Sequence, residues 1–329
     1  MKLMEKIKSI LVLTLTAFLL ANSVAFASST KLSNLNLSKS VAIIDTVGAS
    51  EFIDVDAIFN DGTSLNVSKD AEWQTEDPNI AIAYDGRILA KGIGNTVVKV
   101  SYNGIEEKIK VNVQGPSKRQ LKPHVLSATD TSISPLSLTP AERQAILDKG
   151  YSMVSLFWTP TKNLVGWKGR YTFSANTEYR GIPYTQTYYQ VDNTGFKNAL
   201  SKTDFYNAYS INDIKMPKYG NDCSGFVSFS MGLSRQTTYT FIEGIKSGLY
   251  PKVGSYNVNS PSYTDLYNSY NYLQAGDAVV MNDHTFLIDY NSTYYKTISA
   301  YEQTPYHAEY TTWSYDQMAS AKYMPFSKK

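Results

Sequence analysis

The sequence predicts an export leader followed by two domains: an all-β sandwich, then an α+β domain in which a helix packs on an antiparallel sheet. Three observations carry this. Residues 1–27 combine a basic start, a short apolar core and a small-x-small ending. Residues 41–113 alternate apolar and polar positions over short runs, punctuated by Asp-Gly and Asn-Gly turns. From Thr139 onward, helix-like segments precede several strand-like ones, an order that suits α+β architecture. The 329 residues suffice for about two domains behind a leader.

In the leader, Lys2, Lys6 and Lys8 form the basic region, Ile10 to Ala21 the apolar core, and Val24-Ala25-Phe26-Ala27 the peptidase site. Cleavage after Ala27 and a secreted, extracellular or wall-associated location are expected. The apolar core is short for a membrane span. No cysteine near the site invites a lipid anchor, and no second long apolar run follows, so no membrane attachment is expected after cleavage. A net charge of +2 without a basic stripe gives no case for nucleic acid as a partner. The 26 tyrosines suit strand packing and polar clefts alike.

The first domain is assigned to residues 28–114. Residues 28–36 read as a mobile start. Phe52 to Phe59 alternates up to the turn Asn60-Asp61-Gly62-Thr63. Ala81-Ile82-Ala83 leads into Tyr84-Asp85-Gly86-Arg87, and Val97 to Tyr102 into Asn103-Gly104. No helical period interrupts these runs, so an antiparallel sandwich is expected, with Trp73 in its core. The stretch from Trp73 through Asp77-Pro78-Asn79-Ile80-Ala81, then Asp85-Gly86-Arg87-Ile88, Ala90-Lys91-Gly92 and Gly94-Asn95-Thr96-Val97-Val98, resembles the bacterial immunoglobulin-like group 2 domain. The resemblance implies an adhesion or spacer module that binds a wall or surface component and carries no catalytic residue.

Residues 115–138 are rich in Ser, Thr, Pro and Lys, broken by Gly115-Pro116 and Ser134-Pro135, and read as a linker. His124, inside it, is expected to be solvent-exposed and non-catalytic.

The second domain, 139–329, opens with Thr139-Pro140-Ala141-Glu142, a capping box with Pro at the first helical position. Its helix carries Ile146, Met153 and Val154 and is expected to break at Gly150. Tyr179 to Gln186 and a polar, Tyr- and Asn-rich insertion follow, with a weak helical patch from Phe196 to Leu200. Then comes the stretch Tyr219-Gly220-Asn221-Asp222-Cys223-Ser224-Gly225-Phe226-Val227, a polar run leading into an apolar one. It reads as a loop-to-helix junction with Asp222 as N-cap and a helix to Leu233. An irregular region follows. Gly276-Asp277 introduces a strand through Met281, 282–290 a second, 296–303 a third and 323–326 a last.

Cys223 is the only cysteine. An exported protein with one cysteine cannot form an internal disulfide, and a thiol in the first turn of a helix feels the positive end of the helix dipole, which favours thiolate. A thiol nucleophile needs a base, and the base needs a third group to fix its tautomer. Of the three histidines, His124 is in the linker, His307 lies past the strand signals, and His284 begins a strand. With the following turn centred on Thr293, position 302 falls opposite 284. Glu302 is therefore ranked above Gln303 as the orienter. One cysteine and no paired histidines at ligand spacing give no metal set, and no cofactor is expected.

Gly181-Ile182-Pro183-Tyr184, Asp222-Cys223-Ser224-Gly225-Phe226-Val227, Gly276-Asp277-Ala278-Val279-Val280 and His284 together resemble the NlpC/P60 family of papain-like cell-wall cysteine peptidases. The resemblance implies a papain-like fold for residues 140–329, Cys223 as nucleophile and His284 as base. It also implies substrate binding by Tyr184, Asp222 and Ser224, and a peptidoglycan stem peptide as substrate, cut near D-Glu and a diamino acid. The sequence departs from the pattern by a long insertion between Tyr184 and Cys223, by lacking Trp-Gly-Gly after Tyr184, and by placing Glu302 where His, Asn or Gln is usual. The spacing itself indicates only amide or ester cleavage. A peptidoglycan amidase or acyl transferase with the same three residues, and an inactive surface-binding or adhesion protein, are the alternatives.

Overall fold

The structure is a computed structural model that describes residues 30–45, 47–115 and 138–329. The leader, and most of the linker with His124, lie outside the described residues.

The first ten strands are β1 (Leu32–Leu37), β2 (Val41–Ile44), β3 (Ser50–Phe52), β4 (Val55–Phe59), β5 (Ser64–Asn66), β6 (Glu72–Thr75), β7 (Ala81–Tyr84), β8 (Arg87–Ala90), β9 (Gly94–Tyr102) and β10 (Ile105–Val113). They form sheets in the orders β1-β4-β5, β2-β10-β9-β6 and β3-β8-β7. One apolar core, including Leu35, Val55, Trp73, Ile88, Val98 and Val111, is shared among the three sheets. Alternation explains it: in β9 every second residue turns inward. Trp73 is buried and its indole N–H donates to the Ser68 carbonyl oxygen at 2.9 Å. The Asp85-Gly86 and Asn103-Gly104 turns adopt the positive φ angles those dipeptides favour.

Two expectations change here. Residues 32–37 are not a mobile start: β1 pairs antiparallel with β4 and buries Leu35 to 2% exposure. The sandwich is also not wholly antiparallel, because β2 pairs parallel with β10. The three residues between β1 and β2 carry the chain into another sheet. Turn signals report hairpins and say nothing of a strand that changes sheet.

The second unit begins with α1 (Pro140–Val154). The Thr139 hydroxyl accepts from the Glu142 N–H, and the Glu142 carboxylate accepts from the Thr139 N–H at 2.8 Å. Short pairs follow: β11 (Phe157–Trp158) with β14 (Tyr179–Arg180), and β12 (Leu164–Val165) with β13 (Thr172–Phe173). The insertion holds α2 (Asn193–Ala199) and a hairpin of β15 (Tyr209–Ile211) and β16 (Ile214–Met216). Next come α3 (Cys223–Met231), α4 (Thr238–Ser247) and α5 (Tyr263–Ser269), the last two in the region expected to be irregular. The chain closes with β17 (Ala278–Val280), β18 (Thr285–Ser292), β19 (Thr297–Gln303), β20 (Ala308–Ser314), α6 (Tyr315–Ser320) and β21 (Met324–Phe326). These strands make an antiparallel sheet in the order β20-β19-β18-β17-β21. The unit is α+β.

The core lies between this sheet and the helices α1 and α3. It joins Leu147 and Val154 to Phe226 and Val227 and to Val279, Phe286 and Ile298. Each such side chain contributes about 1.5–3 kcal/mol of burial. Arg143 of α1 ties the helix to the Gly276-Asp277 turn, donating to the Asp277 carboxylate at 2.8 Å and to the Ala275 carbonyl oxygen at 3.0 Å. The helix does not break at Gly150. A Cβ there would sit 2.7 Å from Leu287 Cδ2 and 3.1 Å from Tyr301 Cδ2, so the glycine serves a close helix-to-sheet approach. Gly150→Val is expected to lower stability by about 1–3 kcal/mol through overpacking, measured by urea unfolding; unchanged or raised stability would show that the contact yields freely.

Candidate active site

The thiol is positioned by the start of α3. The Asp222 carboxylate caps the helix, accepting from the Gly225 N–H at 2.6 Å and the Ser224 hydroxyl at 2.9 Å. Its second oxygen accepts from Gln190 Nε2 at 2.8 Å and from the Arg235 guanidinium. This leaves Cys223 at the first helical position, where a backbone N–H has no acceptor inside the helix. Glycine at 225 leaves room for the Gln190 amide against the first turn, since a Cβ would fall 1.9 Å from Gln190 Oε1. Cys223 is 6% exposed, with Sγ 3.9 Å from the Asp283 carbonyl oxygen.

His284 lies in the turn between β17 and β18, held where its carbonyl oxygen accepts from the Met281 N–H at 2.9 Å. Its Nε2 is 2.9 Å from Glu302 Oε1, and the Cys223 side chain lies beside its ring. An ionised carboxylate only accepts, so Nε2 carries the proton toward Glu302 and Nδ1 is left for the thiol. Burial pushes the imidazole down, but the hydrogen bond and charge of Cys223, then those of Glu302, outweigh it and raise it to about 10.

The structure brings Glu302 to His284 by a register other than the one expected. Leu287 faces Tyr301 and Ile288 faces Ala300, so Glu302 falls opposite Phe286 and meets His284 on the diagonal. The reason is the turn, which spans residues 293–296 and is therefore not centred on Thr293, together with a bulge between Ile288 and Tyr290. Gln303 points elsewhere and donates to the Ile182 carbonyl oxygen at 3.0 Å.

Glu302 is 0% exposed and surrounded by donors. Thr311 Oγ1 and Trp313 Nε1, both on β20, reach Oε2 at 2.7 and 3.0 Å. Arg87 of the sandwich supplies the rest, with Nη1 on Oε1 and Nη2 on Oε2 at 3.2 Å. Burial pushes this carboxyl up, but the charges and hydrogen bonds of Arg87 and His284 hold it well below the ordinary carboxylate range.

The sandwich docks on the second unit around this point. Lys91 pairs with Glu309, Lys69 with Asp283 at 2.6 Å, and the Thr312 N–H donates to the Gly48 carbonyl oxygen at 2.7 Å. Between the units lies a cleft of about 460 Å³. Tyr84, Asp85 and Gly86 line it on the sandwich side, Tyr184, Cys223 and His284 on the other.

Of the three expected substrate-binding residues, Tyr184 lines the cleft. It is buried, packs edge-on against Trp167 at 4.9 Å, and its hydroxyl accepts from Gln186 Nε2 at 2.8 Å. Asp222 and Ser224 are buried, bonded to each other, and outside the cleft lining. The insertion folds against Tyr184, with Met216, Ile211 and Ile214 in the same cluster. His307 lies apart from this arrangement, 3.8 Å from Glu309, and burial lowers it to about 4.

Sequence reasoning missed Arg87, Thr311 and Trp313. The signal for β20 was present in Tyr310-Thr311-Thr312-Trp313, a run of strand-favouring residues. Arg87 carried no signal, since an arginine after an Asp-Gly turn reads as a solvated hairpin residue. The sandwich, expected to carry no catalytic residue, supplies Arg87 to the surroundings of Glu302.

No family model matches the chain, and no curated protein matches it. Among solved structures it is similar to domains 4 and 5 of the S-layer protein SbsC (14% identity, 26% of this chain and 54% of that one, TM-score 0.23). It is also similar to SbsC domains 5–6 (14% identity, 26% and 44%, TM-score 0.23) and domains 4–9 (13% identity, 32% and 18%, TM-score 0.24). The chain spans about half or less of those chains, and likeness at this level carries no argument. Among the described residues no helix is long and apolar enough to cross a membrane.

A group held above its ordinary value stabilises the fold below that ordinary value and ceases to do so as pH rises through the folded one. His284 rises from 6.5 to about 10. The stability advantage of wild type over His284→Gln is therefore expected to shrink from about pH 7 to about pH 10. Urea unfolding across that range checks it; a constant difference would show that the imidazolium is not held.

Proposed function

We propose that this protein is an exported cysteine hydrolase that cleaves amide bonds in the stem peptides of peptidoglycan. The observation that carries the reading is the His284 ring, held by the ionised Glu302 at 2.9 Å and set beside the Cys223 side chain. A thiol, a base and an acceptor that fixes the base are the parts nucleophilic acyl transfer requires. The cell-wall substrate and the papain-like architecture rest on the NlpC/P60 resemblance, and the location rests on the leader.

In this reading the proton of Cys223 already rests on His284 Nδ1, and the thiolate attacks the amide carbonyl carbon. The developing oxyanion is stabilised by the N-terminus of α3, with the Cys223 N–H as one donor. Each such donor is worth about 3 kcal/mol of barrier. Collapse breaks the C–N bond, and His284 gives its proton to the leaving amine. Water, deprotonated by His284, then attacks the thioester and releases the acid and the free thiol. Glu302 stays ionised throughout and holds the imidazolium. Tyr184, at the cleft wall, contacts the peptide; Asp222 and Ser224 act by fixing the helix that carries the nucleophile.

Digestion of defined muropeptides with product identification by mass spectrometry tests the reading. Wild type is expected to release stem-peptide fragments, and Cys223→Ala to release none while melting as wild type does. Lytic activity persisting in Cys223→Ala would refute the mechanism, and a cut between sugar and peptide would assign an amidase instead. Glu302→Ala is expected to lower kcat at least 100-fold and Gln303→Ala far less; the reverse order would place the orienter one residue on.

A further inference from the structure

We propose that Arg87 is a positioning residue of the active site: by gripping Glu302 from the sandwich, it fixes the carboxylate that orients His284, so the sandwich is part of the catalytic apparatus and not a spacer. The proposal rests on the reading of Cys223, His284 and Glu302 given above.

The geometry is that of a built clamp. Arg87 meets Glu302 with both ends of its fork, one nitrogen on each carboxylate oxygen. The guanidinium is itself fixed on its other edges. Nε donates to Ser50 Oγ at 2.8 Å, Nη1 to the Tyr84 hydroxyl at 2.9 Å, and the plane lies 4.0 Å over the Trp313 ring. Both partners are almost wholly buried, so water cannot substitute for either. His284 touches the same Glu302 oxygen as Arg87 Nη1. A carboxylate rotated or protonated by loss of its clamp would no longer accept squarely from His284 Nε2, and the imidazolium facing the thiol would lose its counter-charge.

A purely adhesive role for the pair is the competing account. Docking of the two units does not depend on Arg87 alone, because Lys91–Glu309, Gly48–Thr312 and the Phe52–Trp313 ring contact at 5.5 Å join them independently. An adhesive arginine would affect stability and leave the chemistry of the thiol unchanged. A positioning arginine acts through Glu302 and nothing else.

The test is a double-mutant cycle on the full chain, with the rate of Cys223 alkylation by iodoacetamide at about pH 6 as readout and melting followed in parallel. Wild type is expected to react faster than free cysteine. Arg87→Met is expected to slow alkylation at least tenfold, Glu302→Gln likewise, and the double variant no more than Glu302→Gln alone. Arg87→Lys, which keeps the charge but not the fork, is expected to fall between wild type and Arg87→Met, and it serves as the folded variant should Arg87→Met fail to melt cooperatively. Equal slowing by Arg87→Met in both backgrounds, or wild-type rates in Arg87→Met or Arg87→Lys, would overturn the proposal. Wild type no faster than free cysteine would instead refute the activated thiol, a result distinct from the others.

Discussion

A buried carboxylate must be matched by donors or it will not stay ionised, and Glu302 is the point where this constraint organises the molecule. Desolvating an ion costs several kcal/mol, and removing one partner of a buried pair costs about 3–5 kcal/mol. Glu302 meets that demand with donors from three separate places: Arg87 on β8, His284 before β18, and Thr311 and Trp313 on β20. To assemble them, the sheet must be in its bulged register, β20 must be added to its edge, and the sandwich must sit against that edge. The relative placement of the two units, held also by Lys91–Glu309 and Gly48–Thr312, thus completes the surroundings of one side chain.

The thiol and its helix are governed by a more local logic. Asp222, Ser224 and Gly225 are neighbours in sequence and satisfy one another through the cap, and Gly225 admits Gln190 against the first turn. Once the cap forms, the first helical position is set by backbone geometry. The thiol is accordingly placed by a few contiguous residues, whereas His284 and Glu302 are placed by long-range pairing.

That contrast explains what could be read from the sequence. The cap at Asp222, the capping box at Thr139 and the Asp85-Gly86 turn follow from short-range chemistry and were legible. Glu302 was also ranked ahead of Gln303, but from a register that was wrong by two positions. Strand alternation preserves the face when a register slips by two, so the face was right although the opposing residue was not. The hairpin in the insertion, with Asn212 and Asp213 at positive φ, was passed over because its flanking strands are only three residues long. Arg87 was out of reach altogether. Nothing local to an arginine after a turn reports a carboxylate 215 residues downstream, and only the docking of the two units makes it visible.

The parts of the site are also spread along the chain in a telling order. Arg87 is synthesised first, Cys223 well after it, and Glu302, Thr311 and Trp313 within the last stretch before the C-terminal strand. A ribosome-bound or truncated polypeptide that ends before β19 has a thiol at a helix start and an imidazole with no acceptor behind it. A polypeptide that ends before β20 would keep Glu302 with His284 and Arg87 but lose the Thr311 and Trp313 donors.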